Sequence, residues 1–138
     1  MKPLAGKKVL MIIAHKDFRD EEYREPRKVL EDAGAQVIVA SSSMNVCKGM
    51  LGMQVKPDVL YTDVKADDCD AVVFVGGNGA QEYWQDQKAH GLAREADKAG
   101  KIVSAICIAP VTIANAGLLK GKEATVWPSE SCQIEGKG

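Results

Sequence analysis

Three short runs of mostly apolar residues constrain the fold of this chain most strongly. They cover residues 7–14, 71–75 and 101–106, and valine, isoleucine and alanine dominate them. A strand in a parallel sheet that helices cover on both faces has such a continuous apolar pattern, whereas a half-solvated strand alternates apolar and polar residues. The runs therefore predict a parallel sheet with both faces buried.

The segments between these runs predict helices and further strands. Residues 20–33, 81–99 and 109–116 read as helices, and each is followed by a glycine, the common residue after a helix C-terminus. The other predicted elements are strands at 36–40 and 123–127, a helix at 129–135 and a small antiparallel excursion at 47–64. Alternating strands and helices predict an α/β domain with a mostly parallel sheet.

Composition excludes several classes of protein. The chain has 138 residues, 18 basic against 19 acidic side chains, and a net charge of −1. Nucleic-acid-binding domains are usually basic, so we expect no nucleic-acid partner. No apolar run approaches the roughly 20 residues of a membrane span, so we expect no membrane and a cytoplasmic location. The length predicts a single domain over residues 1–138.

The cysteines give no sign of a metal or redox centre. The chain has four, Cys47, Cys69, Cys107 and Cys132, and no two of them form a CxxC pair. Zinc and thioredoxin-type sites therefore lack their usual signature, and we expect no metal and no cofactor. Two disulfides remain an alternative, but they are rare in a cytoplasmic chain with a full-sized core.

One cysteine lies where an apolar strand turns into a helix. The segment Ala105–Pro110 has Cys107 at the corner and alanines two residues before and after it, as the tight turn of a nucleophile elbow requires. A helix N-terminus favours the thiolate, so the pattern predicts a lowered pKa for Cys107. The alternative is a buried, inert core cysteine, which is the expectation for the other three cysteines.

A glycine-rich turn follows the strand at 71–75. Its sequence, Gly76-Gly77-Asn78-Gly79, allows backbone N–H groups to point into a cleft at the carboxyl edge of the sheet, where open α/β sheets bind ligands. With the N–H of Ile108 it predicts an oxyanion pocket, and the alternative is a plain tight turn. A dinucleotide fingerprint is excluded, because the glycines do not follow the first strand.

Acids and histidines supply candidate proton donors and acceptors. Four acids begin the first helix, where most serve the helix N-terminus and solvation, while one of them could lie beside the cysteine. His15 ends the first strand and is a possible member of the site, whereas His90 is expected to be a packing residue. Trp84 and Trp127 are expected in the core or at an interface.

Taken together, these segments resemble the ThiJ/PfpI superfamily, which includes the parkinsonism-associated deglycase and the PfpI intracellular proteases. The resemblance is carried by residues 21–26, 75–80, 105–110 and 116–125, in one order over nearly the whole chain. It implies a flavodoxin-like three-layer sandwich related to class I glutamine amidotransferases, and a homodimer or larger homo-oligomer. Family members continue past Gly138 with a strand and a helix, so we expect a domain truncated at its C-terminus.

The resemblance also implies roles for individual residues. Cys107 matches the elbow cysteine, Glu22 matches the protonated glutamate that contacts it, and Gly76, Gly77 and Ile108 match the backbone positions of the oxyanion pocket. Protease-like members carry a histidine where this chain has Ile108. Deglycase-like members carry one where this chain has Trp127. We therefore expect peptidase activity to be weak or absent.

The functional expectation is a cysteine-dependent enzyme that acts on small carbonyl compounds or their adducts, in the manner of a deglycase or glyoxalase. Related members are described as intracellular proteases or hydrolases, which leaves a peptide-like substrate open. The alternative is a non-enzymatic oxidative-stress sensor or chaperone, because an accessible low-pKa thiol oxidises readily to sulfenic and sulfinic acid.

Overall fold

The computed structural model describes residues 2–137 as eight strands, four α-helices and short 3₁₀ turns. The strands are β1 (Lys8–Ile12), β2 (Lys16–Phe18), β3 (Gln36–Ser41), β4 (Cys47–Gly49), β5 (Gln54–Val55), β6 (Val59–Leu60), β7 (Ala71–Phe74) and β8 (Ile102–Ala105). The α-helices are α1 (Asp20–Asp32), α2 (Gln87–Lys98), α3 (Pro110–Asn115) and α4 (Ser131–Ile134). The 3₁₀ turns are Tyr61–Asp63, Ala66–Asp68, Asn78–Tyr83 and Pro128–Glu130.

The main sheet has five strands in the order β6-β3-β1-β7-β8. All four of its strand pairings are parallel, and Leu10 of β1 lies opposite Ile38 on one side and Val72 on the other. The chain runs from β1 outward to β3 and later resumes on the other side of β1 with β7. Open α/β sheets bind ligands at such a reversal of strand order, outside the carboxyl ends of the strands.

The two faces of the sheet bury different side chains, because successive residues of a strand point to opposite faces. Leu10 and Ile12 belong to the larger core cluster, which includes residues of α2 and α3. Val9 and Met11 belong to the second cluster, which includes Tyr23 of α1. Helices on both faces of a parallel sheet make a flavodoxin-like α/β sandwich, which confirms the fold predicted from the sequence.

The helical layer on the α1 side is incomplete. Beside α1, a groove of about 550 Å³ lies along β1, β7 and β8. Ile102, the first residue of β8, is 67% exposed in this groove. The outer part of the sheet therefore presents an apolar face to solvent.

Two predicted elements differ from the structure. The helix predicted from residue 81 begins at Gln87, because residues 78–83 form a 3₁₀ turn and the Asp86 side chain accepts the Ala89 N–H at 2.9 Å as an N-cap. The strand predicted at 123–127 does not form. This segment is mostly exposed and donates one hydrogen bond, from Trp127 N–H to the Cys107 carbonyl at 2.8 Å, instead of pairing with β8.

The predicted excursion at 47–64 is only partly antiparallel. β4 and β5 form an antiparallel pair, and β2 joins β4 in a small three-stranded sheet. β6 instead joins the main sheet parallel to β3. Within residues 2–137, no helix combines the length and apolarity needed to cross a membrane.

Candidate active site

Cys107 occupies a strained corner between β8 and α3. Its φ angle is +65°, a left-handed conformation that costs a residue with a side chain about 1–3 kcal/mol. Pro110 begins α3, where its missing N–H leaves no hydrogen bond unmade. The thiol is half-buried and lies at the carboxyl edge of the sheet. This is the geometry of a nucleophile elbow, as the sequence pattern predicted.

Glu22 lies beside Cys107, although the two residues come from different elements. Glu22 is in the first turn of α1, and its Oε1 is buried without a hydrogen-bond partner among the described residues. A Cβ atom added to Gly76 would overlap Glu22 Oε1 and lie 2.7 Å from Cys107 Cβ. Gly76 therefore allows the carboxyl group to approach the cysteine, and any larger residue would separate them.

The carboxyl group and the thiol change each other's titration. Burial raises the pKa of Glu22, although the Gly76 N–H and the Cys107 thiol act against this. Burial and the negative charge of Glu22 raise the pKa of Cys107, while the N–H groups of Gly77 and Ile108 lower it. The sequence predicted a lowered thiol pKa. That prediction rested on the helix N-terminus and the polar backbone, and burial of the thiol together with the charge of Glu22 outweighs them.

Two backbone N–H groups flank the sulfur of Cys107. They belong to Gly77 and Ile108, and both stabilise negative charge there. Gly77 has a φ angle of +102°, which glycine adopts without strain. Its α-carbon packs so closely on the backbone before α1 that a Cβ would overlap the Arg19 nitrogen. The N–H of Gly76 lowers the pKa of Glu22, and the predicted place of Gly76 in the oxyanion pocket stays a prediction.

The thiol opens into a cleft of about 420 Å³. The cleft is lined by Arg19, Glu21, Glu22, Met50, Gly77, Asn78, Gln81, Cys107, Ile108, Trp127, Ser129 and Glu130. Arg19 and Glu21 form an ion pair in the cleft wall at 2.6 Å, so the guanidinium is largely neutralised. The cleft is therefore lined mostly by polar and charged side chains, with Met50, Ile108 and Trp127 as its large apolar ones, and it has the size of a small-molecule site.

The histidines lie elsewhere. His15, a possible site residue from the sequence, places its Nδ1 3.9 Å from Cys47 Sγ, and it does not line the cleft. It lies between β1 and β2, past the carboxyl end of β1, but its ring contacts Cys47 of β4 and does not reach the elbow. His90 is buried on α2, as expected of a packing residue. Both histidines belong to the described residues, and neither lines the cleft.

Trp127 is a site residue that the sequence reasoning missed. Its side chain is 59% exposed and lines the cleft with Cys107. The sequence placed it in the core or at an interface because tryptophan is usually buried there. Its position before Pro128, where the resemblance implies a histidine in deglycase-like members, was the signal that it faces the cleft. Nothing among the described residues groups three or more His, Cys, Asp or Glu side chains into a metal site.

Known proteins match this fold and this chain. The DJ-1/PfpI family profile matches residues 7–138. An uncharacterised protein of Methanocaldococcus jannaschii is 50% identical over 123 residues, 88% of this chain and 60% of that protein. The deglycase PfpI of Pyrococcus furiosus is 35% identical over 118 residues, 86% of this chain and 70% of that enzyme.

A solved structure agrees with the sequence matches. The ThiJ/PfpI domain protein from Brachyspira murdochii superposes with a TM-score of 0.91 at 34% identity, covering 94% of this chain and 75% of that one. The chain thus spans 60% of the first relative's length and 70% of the deglycase's. The sequence profile, the identities and the superposition all agree: this chain belongs to the DJ-1/PfpI family.

Proposed function

We propose that the cleft is the active site of a cysteine-dependent enzyme that acts on small α-oxoaldehydes, such as methylglyoxal, or on their adducts with amines and thiols. The observation that carries this proposal is the strained Cys107 thiol between the Glu22 carboxyl group and the N–H groups of Gly77 and Ile108. The match to a protein named a deglycase supports the same class of substrate.

The chemistry begins with Cys107 Sγ attacking the aldehyde carbon. A C–S bond forms, the carbonyl oxygen becomes an oxyanion, and the N–H groups of Gly77 and Ile108 stabilise it. The thiol proton passes by way of Glu22 to this oxygen, which gives a hemithioacetal. Glu22 has one buried oxygen without a partner and can both accept and return this proton.

The second stage moves hydrogen between the two carbons of the substrate. Glu22 is ionised again once the thiol proton has reached the oxygen, and it removes the C–H proton of the hemithioacetal to give an enediolate. It returns that proton to the neighbouring carbon, while the hydroxyl proton of the first carbon moves to the oxygen of the second. The result is a thioester of a 2-hydroxy acid on Cys107. Water attacks this thioester, releases the 2-hydroxy acid and restores the thiol. For methylglyoxal the net reaction adds one water and yields lactate without an external oxidant.

Peptidase activity needs a proton donor that the carbonyl reaction does not need, and we propose that peptidase activity is weak or absent. Release of an amine from an acyl-enzyme needs a proton delivered to the leaving nitrogen, which cysteine proteases obtain from a histidine. Ile108 and Trp127 occupy the positions where relatives carry that residue, and His15 contacts Cys47 instead. A positioned acid–base group is worth about 10²–10⁴-fold in rate, so its loss is severe.

Lactate formation from methylglyoxal tests the enzyme proposal. We expect turnover by the purified protein and its loss in Cys107→Ser, since serine is a far weaker nucleophile without an activating base. Cys69→Ser, which changes a buried cysteine in the core, is the matched control and should retain turnover. Turnover that survives Cys107→Ser would disprove the proposal. Casein hydrolysis tests the expectation of weak peptidase activity: if the parent protein hydrolyses casein and Cys107→Ser does not, another group replaces the missing histidine.

A second candidate function is a thiol sensor of oxidants. It is favoured by the partnerless Glu22 Oε1 and the two N–H groups beside the sulfur, because each can hydrogen-bond an oxygen atom added there. Peroxide would convert the thiolate to a sulfenate and water, and a second equivalent would give the sulfinate. Intact-mass measurement after mild peroxide reports oxygen added to the protein, and lactate formation from methylglyoxal reports turnover. Oxidation without turnover would favour the sensor, and turnover would favour the enzyme.

A further inference from the structure

The backbone of the elbow accepts two hydrogen bonds, one from the backbone of Trp127 and one from the indole of Trp84. The Trp127 N–H donates to the Cys107 carbonyl at 2.8 Å. The indole Nε1 of Trp84 donates to the Ile108 carbonyl at 3.0 Å. The peptide groups on both sides of Ile108 are therefore fixed by groups outside the elbow. Trp84 does not line the cleft, so its effect on the reaction must pass through Ile108.

Trp84 is itself held by two further elements. Its carbonyl accepts a hydrogen bond from His90 Nε2 of α2 at 2.8 Å and another from Asn115 Nδ2 of α3 at 2.8 Å. A carbonyl oxygen only accepts, so the Nε2 of His90 carries the proton. His90 is only 2% exposed, and its bond to Trp84 is shielded from water. The backbone of Trp84, from which the indole projects, is thus held jointly by α2 and α3.

We propose that Trp84 is a positioning residue that holds the Ile108 N–H toward the sulfur of Cys107. Left-handed backbone at a residue with a side chain persists only where its surroundings impose it. The indole bond fixes the carbonyl of Ile108 and so restricts rotation of the residue whose N–H stabilises the thiolate. The Cys107 carbonyl belongs to the same peptide group as the Ile108 N–H. The hydrogen bond from the Trp127 backbone N–H to this carbonyl polarises the group and strengthens the Ile108 N–H as a donor.

This inference rests on the proposed function only in taking Cys107 as the nucleophile. Its test therefore measures the thiol directly and needs no knowledge of the substrate. Alkylation of Cys107 by iodoacetamide follows the thiolate fraction. The measurements use a Cys132→Ser background, because Cys132 is exposed and would react as well. If wild-type protein alkylates normally but does not turn over methylglyoxal, the proposed function fails while the role of Trp84 is still decided.

Trp84→Phe removes the indole N–H and keeps most of the aromatic volume. We expect Cys107 of this variant to alkylate about three- to tenfold more slowly at neutral pH, the worth of one weakened hydrogen bond. The rates of the variant and the parent should converge at high pH, where both thiols are ionised. Tyr83→Phe is the matched control, because it deletes one aromatic hydrogen bond, to the Ile13 carbonyl at 2.8 Å, from the neighbouring residue.

The two substitutions should differ in one respect. Both should lower resistance to urea, but Tyr83→Phe should leave the pH profile of alkylation within about twofold of the parent. Equal profiles in Trp84→Phe and Tyr83→Phe would overturn the proposal. Should Trp84→Phe fail to fold, Asn115→Ala decides the question. It removes one bond to the Trp84 carbonyl, and it must slow alkylation at neutral pH in the same direction for the proposal to stand.

Discussion

Glu22 and Cys107 are two acids side by side, and under the proposed function the transfer of a proton between them governs the reaction. Burial raises the pKa of Glu22, and burial together with the charge of Glu22 raises the pKa of Cys107. The carboxyl group therefore loses its proton before the thiol does, but at a higher pH than an exposed glutamate. A carboxyl group in this state can donate to a developing oxyanion and then accept a proton from carbon.

Replacing Glu22 with Gln should separate thiol reactivity from turnover. Glu22→Gln removes a negative charge from beside the sulfur and offers an N–H donor, so the pKa of Cys107 falls and alkylation at pH 7 accelerates. Turnover of methylglyoxal should nevertheless fall by about 10²–10⁴-fold, because an amide cannot carry the proton. Iodoacetamide kinetics measure the reactivity of the thiol and lactate formation measures turnover, both on the same preparation.

The matched control for this change is Glu25→Gln on the same helix. Glu25 is exposed and pairs with Arg24 at 3.0 Å, so solvent screens its charge. Glu25→Gln should therefore change neither the alkylation rate of Cys107 nor the turnover of methylglyoxal. Glu22→Ala removes the charge but supplies no donor, and it should lower the thiol pKa less than Glu22→Gln does. Slower alkylation in Glu22→Gln would contradict the assigned charge coupling.

How much of the site the sequence predicts depends on whether residues are close along the chain. Cys107 and Ile108 could be predicted, because the elbow is a local strand-to-helix pattern. Glu22 and the cysteine meet across two elements, so residue patterns alone left four acids open and the family resemblance selected one. His15 was predicted as a possible site residue, and it does lie at the expected edge of the sheet. Its ring contacts Cys47, however, because the packing of β4 sets its orientation.

At the scale of elements, Asp20 connects the start of α1 to the turn between β4 and β5. Its two carboxylate oxygens accept the N–H groups of Leu51 and Met53, each at 2.8 Å, and the residue is only 4% exposed. Although burial opposes ionisation, these bonds hold the pKa of Asp20 below its ordinary value. Met50 of the same turn lines the cleft, so the contact also positions part of the cleft wall.

Asp20→Ala should destabilise the protein by about 2–3 kcal/mol at pH 7, because two buried N–H groups lose a charged acceptor. The contribution of an acid with a lowered pKa is complete above its unfolded-state pKa and is lost as pH falls through the folded-state value. The difference between Asp20→Ala and the parent should therefore shrink in acid. Urea unfolding at pH 7 and at about pH 3 measures it.

A second acid of the same helix provides the control for this change. Asp32 is exposed and pairs with Lys28 at 2.7 Å, and surface pairs of this kind contribute little to stability. Asp32→Ala should therefore leave unfolding nearly unchanged at neutral pH. An effect as large as that of Asp20→Ala would show that general helix electrostatics, and not the bonds to the turn, explains the loss.

For the whole molecule, the sequence predicts the layers better than the ends of the elements. Continuous apolar strands separated by amphipathic helices allow few arrangements other than a parallel sheet between helices, and the five-stranded sheet follows this expectation. The segment at 123–127 has the composition of a strand but makes no ladder with β8. Composition measures how well a segment suits a sheet, whereas pairing also requires an aligned neighbour.

The uncovered sheet face beside α1 has a consequence for stability. Ile102 lies on this face and is 67% exposed, whereas Val72 on the adjoining β7 is fully buried against the other helical layer. Ile102→Lys should cost no more than about 0.5 kcal/mol, because it removes little buried area. It should also reduce the fluorescence of a dye that binds exposed apolar surface.

Val72→Ala should cost about 1–3 kcal/mol, since it leaves a cavity in a packed core. Urea unfolding and dye titration of both variants measure these effects, and a large loss of stability in Ile102→Lys would mean that this face is covered in solution.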